Sequence, residues 1–296
     1  MRWLVLILIG ILLSCSESSE RGNETRIVCT TGMIGDAVRN IVDSSCTVQV
    51  LMGPGTDPHL FKPTKSSLDL LSDADIIVAN GLHLEGKMQD ILEKLKRTKT
   101  VYFLAEKLPE ERLIVSDSSS GIYDPHIWFD VALWRNSLEL LLSEFETKDI
   151  VDEKSSELYL NSLFELGNWV EKEIAEIPSK QRVLITAHDA FSYFGNAYDM
   201  EVMGLQGIST VSEYGLRDVS NLVNTIVERE IPAVFIESSI SPRSIQAVVE
   251  GCQKRGFNTR LGGTLYSDAL GPEGSGAETY IDMVRHNVAT LKKGLQ

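Results

Sequence analysis

Five histidines occur in this 296-residue chain, and three of them fall in settings that favour metal coordination. His59 and His126 repeat one context, DPHLFKP and DPHIWFD: each follows Asp-Pro and precedes an aliphatic–aromatic pair. Proline fixes the backbone ahead of the ring, the apolar neighbours exclude water, and the carboxylates of Asp57 and Asp124 are placed to orient the imidazoles. His188 closes the apolar run RVLITAH, and Asp268 lies in GGTLYSDALG. Three imidazoles and one carboxylate make a complete shell for a divalent transition metal. Such a shell leaves little room for an activated water, so it suits holding an ion better than hydrolysis.

These four residues need elements that bring them together. From Arg26 the sequence alternates strand and helix patterns, β-α-β-α-β-α-β, as far as TVYFLAE. It then leaves regular structure at LPEERLIVSDSSSGIYDPH and enters a helix over 131–146. After residue 178 the alternation resumes with strands RVLITAH, MEVMGLQ, AVFIESS and TRLGG, separated by helices. This pattern predicts an α/β fold with parallel sheets flanked by helices. Between the two blocks, Tyr159, Leu163, Leu166, Val170, Ile174 and Ile177 recur at helical steps. A helix of about 28 residues there would span roughly 42 Å. It reads as a rigid strut joining two α/β lobes. In open α/β sheets, ligands bind beyond the carboxyl ends of the strands. All four candidate ligands follow strands, so the lobes are expected to bring them together at their facing edges.

Residues 1–14 read as a signal peptide: Arg2 precedes an apolar run too short to span a bilayer. The run ends in Leu12-Leu13-Ser14-Cys15, which resembles the bacterial lipobox, with lipid attachment to Cys15. The polar stretch 15–25 then serves as a flexible tether. The remaining divisions are 26–147 for the first lobe, 148–178 for the linking helix and 179–296 for the second lobe. Cys29, Cys46 and Cys252 are expected to be unpaired, since an odd number of small apolar cysteines in strands suits a core. The net charge of −14 excludes a nucleic-acid binder, because no basic cluster is present to neutralise phosphates.

DPHLFKP, NGLHLEGKM, DPHIWFD, TAHDAFSYFG, GLQGIST, IPAVFIESS and LYSDALG stand in an order and spacing that resemble the metal-binding solute-binding lipoproteins of manganese/zinc ABC importers. The resemblance covers nearly the whole mature chain. It implies two α/β lobes bridged by a long helix, with His59, His126, His188 and Asp268 as metal ligands. It also implies manganese, zinc or iron as cargo, an ABC permease and its ATPase as partners, and a monomer exported and held at the membrane by its lipid. No enzymatic activity is implied. The His-rich loop of the zinc-specialised branch is missing from VSDSSSGIYDPH, while His188 stands where strictly manganese-specific members often carry Glu. Cargo identity is therefore open between the two patterns.

Two other readings compete. A zinc hydrolase would use three ligands and a water, but no HExxH or G-x-S-x-G motif is present. An adhesin or structural lipoprotein would use the metal only for stability. Of the remaining candidates, His83 reads as structural and His286 as a surface helix residue. Glu213 is expected near the cleft mouth. Glu237 is expected to be buried and hydrogen-bonded across its lobe, with no histidine beside it in sequence.

Overall fold

The computed structural model describes residues 24–117, 121–211 and 213–296. Cys15, the leader and nearly all of the tether lie outside the described residues. Among the described residues, no helix is long and apolar enough to cross a membrane.

The first lobe is built on four parallel strands: β1 (Thr25–Cys29), β2 (Cys46–Val50), β3 (Ile76–Ala79) and β4 (Thr100–Phe103), in the order β2-β1-β3-β4. All of β3 is buried, as its unbroken apolar run requires when helices cover both sheet faces. The crossovers carry α1 (Gly32–Ile41), α2 (Lys65–Asp73) and α3 (Gln89–Leu95). Thr64 starts α2 with a reciprocal capping box: its hydroxyl accepts from Ser67 N at 3.2 Å, and the Ser67 hydroxyl accepts from Thr64 N at 3.2 Å. Cys46 pairs in register with Thr25, and Cys29 with Val50. The two thiols therefore stand four residues apart along neighbouring strands, about 13 Å, well beyond disulfide reach.

The segment expected to be irregular contains a short antiparallel hairpin, β5 (Val115–Asp117) and β6 (Ile122–Tyr123). It is too short to show alternation in the sequence. α4 (Val131–Glu146) follows, capped by Asp130, whose carboxylate accepts from Leu133 N at 2.9 Å.

The linking helix is shorter than the predicted 148–178. α5 runs from Glu153 to Ala175, 23 residues, or roughly 34 Å at 1.5 Å per residue. Residues 149–152 are diverted into another task. Asp149 takes a left-handed φ of 56°, and the following backbone docks on the first lobe, with Asp43 N donating to Ile150 O and Asp152 N to Ile41 O. The Asp152 side chain then caps α5 on Ser155 N at 3.0 Å. The apolar stripe is buried as its spacing predicts, at Tyr159, Leu163, Leu166, Val170 and Ile174.

The second lobe pairs β7 (Val183–His188) with β8 (Glu201–Gln206), and β9 (Ala233–Glu237) with β10 (Arg260–Leu265), all parallel. β7 runs alongside β9. The crossovers are α6 (Ser192–Tyr198), α7 (Leu216–Arg229) and α8 (Arg243–Lys254). Cys252 is buried in a core with Ile185, Val223, Ile226 and Val248. The last helix, α9 (Tyr280–Leu295), packs on β10 and also on α5 and α1. A single core thus runs from Ile27 in the first lobe through Trp134 and Leu163 to Tyr280 and Leu291. The strut is therefore backed along one face by the body of the protein.

Candidate metal centre

The four predicted residues meet. One ligand atom from each of His59, His126, His188 and Asp268 lies within 4.8 Å of all the others. Their side chains are shut away from solvent, with exposures of 1%, 0%, 0% and 1%. His59 Nε2 is 3.3 Å from His126 Nε2, His188 Nε2 is 3.4 Å from one Asp268 oxygen, and His126 Nε2 is 3.7 Å from the other. Ligands about 2.1 Å from a tetrahedral ion are separated by about 3.4 Å. The centre therefore has the size of a transition-metal shell.

Each side chain is aimed by its own local structure. Asp57 Oδ1 accepts from His59 N at 2.9 Å, turning the chain so that the ring faces inward. Asp124 does the same for His126 N at 2.9 Å and also takes the ring Nδ1 at 2.7 Å. A proton held on Nδ1 leaves the Nε2 lone pair free for a metal. The two DPH motifs thus differ in effect. Asp57 is expected to orient its imidazole as Asp124 does, but it holds only the backbone N of His59, and its second oxygen accepts from the Thr210 hydroxyl at 2.7 Å. His59 Nδ1 has no hydrogen-bond partner among the described residues.

His188 ends β7, and its backbone N donates to Glu237 Oε1 at 2.9 Å. Its ring Nδ1 lies 2.7 Å from Glu237 Oε2. β8 crosses close behind: a Cβ on Gly204 would lie 2.5 Å from Asp189 N and 2.7 Å from His188 C, so only glycine fits there. Asp268 follows β10, in a loop fixed from the first lobe by Trp128, whose Nε1 donates to Ser267 O at 3.0 Å. Tyr193 of the second lobe returns the tie, donating to Asp124 O at 3.1 Å.

The electrostatics follow from burial and these contacts. Burial pushes His59 down to about 3, helped by the two neighbouring imidazoles and opposed by Asp268. For His188, burial alone would lower the pKa, but the carboxylates of Glu237 and Asp268 hold it well above its ordinary value. For Asp268, burial would raise the pKa, but His188 above all, with His126 and His59, keeps it below the usual carboxylate range. Asp268 is thus an anion with 1% exposure, and neither of its oxygens has an aligned hydrogen-bond donor among the described residues. A buried, underpaired carboxylate facing three imidazole nitrogens is the electrostatic complement of a cation.

Glu237 is buried and hydrogen-bonded across its lobe as expected, but its partner, the candidate ligand His188, was not foreseen. It lies 49 positions from His188, so nothing local marks the pair. The available signal was topological, since β7 and β9 end at the same edge. His83 is exposed at a left-handed φ of 64° and stands outside the cluster. Glu213 is exposed. His286 is not the surface residue expected: it is half-buried, with Nε2 3.1 Å from Thr264 O and its ring 4.9 Å from Tyr266. The α9 face that carries it is pressed against β10.

The chain is 44% identical over 286 residues to the manganese-binding lipoprotein MntA of Bacillus subtilis, covering 95% of this chain and 93% of the relative. The structure of the periplasmic zinc-binding protein TroA of Treponema pallidum superposes with a TM-score of 0.86 at 39% identity, covering 92% of this chain and 99% of that one. Fe(III)-bound YtgA of Chlamydia trachomatis aligns with a TM-score of 0.81 at 25% identity, covering 92% and 98%. The sequence model described as zinc-uptake complex component A, periplasmic, matches residues 27–294. By its sequence from the first strand to the last helix, the chain belongs to this ZnuA family.

Proposed function

We propose that this protein is the extracytoplasmic solute-binding component of an ABC importer. It captures a divalent transition metal between its lobes on His59, His126, His188 and Asp268 and hands it to a membrane permease driven by its ATPase. The observation that carries this reading is Asp268, a buried carboxylate without aligned donors, ringed by three imidazoles whose Nε2 atoms converge on it. Removal of a cation from such a cluster leaves uncompensated charge; supply of one satisfies all four groups. With every ligand at most 1% exposed, the ion is enclosed, which favours carriage over hydrolysis, where a water must reach the metal. The relatives are named for manganese, zinc and iron, and this centre is read as accepting that class of ion.

The same proposal includes lipid anchoring through Cys15, a monomeric state, and division of the body into two lobes joined by α5. The test is elemental analysis of protein purified without added metal, followed by titration of the metal-stripped protein. One equivalent of zinc or manganese should bind the wild type, and His126→Ala or Asp268→Ala should lose that binding. Full-affinity binding by both variants would overturn the ligand assignment.

A further inference from the structure

Beneath the two DPH loops lies a buried polar cluster that contributes no ligand. Glu85 is fully buried and accepts three hydrogen bonds: from the Thr30 hydroxyl at 2.8 Å, from Asn80 N at 2.7 Å and from Gly81 N at 3.1 Å. The carboxylate thus gathers the ends of β1 and β3. Two successive backbone N–H groups form its cradle.

The segment that Glu85 closes is backbone-strained. Gly81, Leu82 and His83 have φ values of 81°, 51° and 64°, and Gly86 has 44°. Consecutive left-handed residues that include leucine are costly and persist only where the surroundings enforce them. Here the enforcing group is the carboxylate at the end of the same loop.

Two arms leave this cluster, and each reaches a candidate ligand. Asn80 Nδ2 donates to Pro125 O at 2.9 Å, holding the residue that precedes His126. On the other side, Gly86 lies flush against the main chain of His59; a Cβ there would be 2.3 Å from His59 O and 3.1 Å from His59 C. The loop is therefore a gauge block wedged between the backbones that carry His59 and His126, whose Nε2 atoms stand 3.3 Å apart.

We infer that Asn80 and Glu85 are positioning residues for the metal centre. Through the strained 81–86 loop they set the His59–His126 spacing and so tune which ion the centre prefers. This inference rests on the ligand assignment proposed above. A centre held at tetrahedral spacing favours zinc; one whose two imidazoles can drift apart loses more for zinc than for manganese, which accepts larger and more variable shells.

The test uses Co²⁺ as a spectroscopic probe alongside zinc and manganese titrations of the full soluble chain. Asn80→Ala removes the arm to Pro125 together with a bond to Gly81 O at 3.1 Å, and Gly86→Ala pushes on the His59 main chain from a left-handed φ of 44°. Each should weaken zinc at least tenfold, in line with the roughly 10–100-fold typical of groups that orient ligands. Each should weaken manganese less, and each should change the cobalt visible spectrum while the metal-free protein still melts cooperatively. An unchanged cobalt spectrum with unchanged affinities in either variant overturns the inference. So does an equal loss for both metals that tracks a fall in metal-free melting temperature. If Asn80→Ala does not fold, Gly86→Ala decides alone. His126→Ala run in parallel separates the two ideas: loss of cobalt there, with wild-type behaviour in Asn80→Ala, leaves the ligand set standing and removes only the gauge.

Discussion

The Thr210 hydroxyl reaches across the cleft to Asp57 Oδ2 at 2.7 Å, and the other oxygen of the same carboxylate holds His59 N at 2.9 Å. One side chain thus couples the β8–α7 loop of the second lobe to the backbone of His59, a first-lobe candidate ligand. Two other crossings, Trp128 to Ser267 O and Tyr193 to Asp124 O, lie buried beside His126 and Asp268; the Asp57 clasp is only partly buried.

Thr210→Val, which keeps the shape and removes the donor, should therefore speed metal release. A hydrogen bond to a charged group contributes about 1.5–3 kcal/mol, and partial exposure here puts the expected effect at the low end, about tenfold in off-rate. Stopped-flow release into excess chelator reads it. A release rate equal to wild type would mean that the clasp plays no part in retention.

Metal binding should expel a proton from His188. Its pKa in the metal-free fold is raised by Glu237 and Asp268, above the ordinary value of about 6.5. The charged pair thus stabilises the metal-free fold fully below about pH 6.5, and that contribution is lost as pH rises through the raised value. A metal must displace that proton, so affinity should keep climbing above neutral pH, by up to about tenfold per pH unit. Calorimetry in buffers of different ionisation enthalpy should count about one proton released at pH 7. Glu237→Gln should reduce that count and flatten the slope.

His59 acts in the opposite sense. Its pKa is depressed to about 3, so the unfolded chain takes up a proton between about pH 6.5 and 3 that the fold refuses. The metal-free protein should lose stability across that window as pH falls. His59→Gln should lessen the loss, as measured by denaturant melts at pH 7 and pH 4.

Zinc should outcompete manganese in the isolated protein. Three nitrogens and one carboxylate follow the Irving–Williams trend, which places Zn²⁺ well above Mn²⁺. Exchange of His188 for glutamate should move the ratio towards manganese by replacing nitrogen with oxygen. Because Glu237 lies 2.7 Å from the His188 ring, the clean version is His188→Glu with Glu237→Gln, which avoids two adjacent carboxylates. Competition titrations that show manganese ahead in the wild type, or no change in the double variant, would contradict the shell.

The lobes should move little on loading. α5 is not a bare tether, since α1, α4 and α9 pack along it within one continuous core. A wide hinge rotation would have to tear apart close-packed side chains. Small-angle scattering of metal-free and zinc-loaded protein should give nearly superimposable profiles.

Much of this was written locally in the chain. Alternating strand and helix patterns set an α/β fold, because each element's apolar period depends only on its own residues. The three histidines and Asp268 were legible because strand ends in parallel sheets face one edge, so position after a strand implies position at the site. Asp124 was legible too, two residues from the ring it holds. The identical Asp57 holds only the backbone N of His59 and spends its second oxygen on Thr210, 153 residues away. The start of α5 shifted from 148 to 153 because residues 149–152 pair with the first lobe, a contact that helical periodicity cannot express. Glu237 and the Asn80–Glu85 cluster belong to the same class. Their roles come from long-range hydrogen bonds between elements distant in sequence, and only the packing of the lobes brings those donors and acceptors within reach.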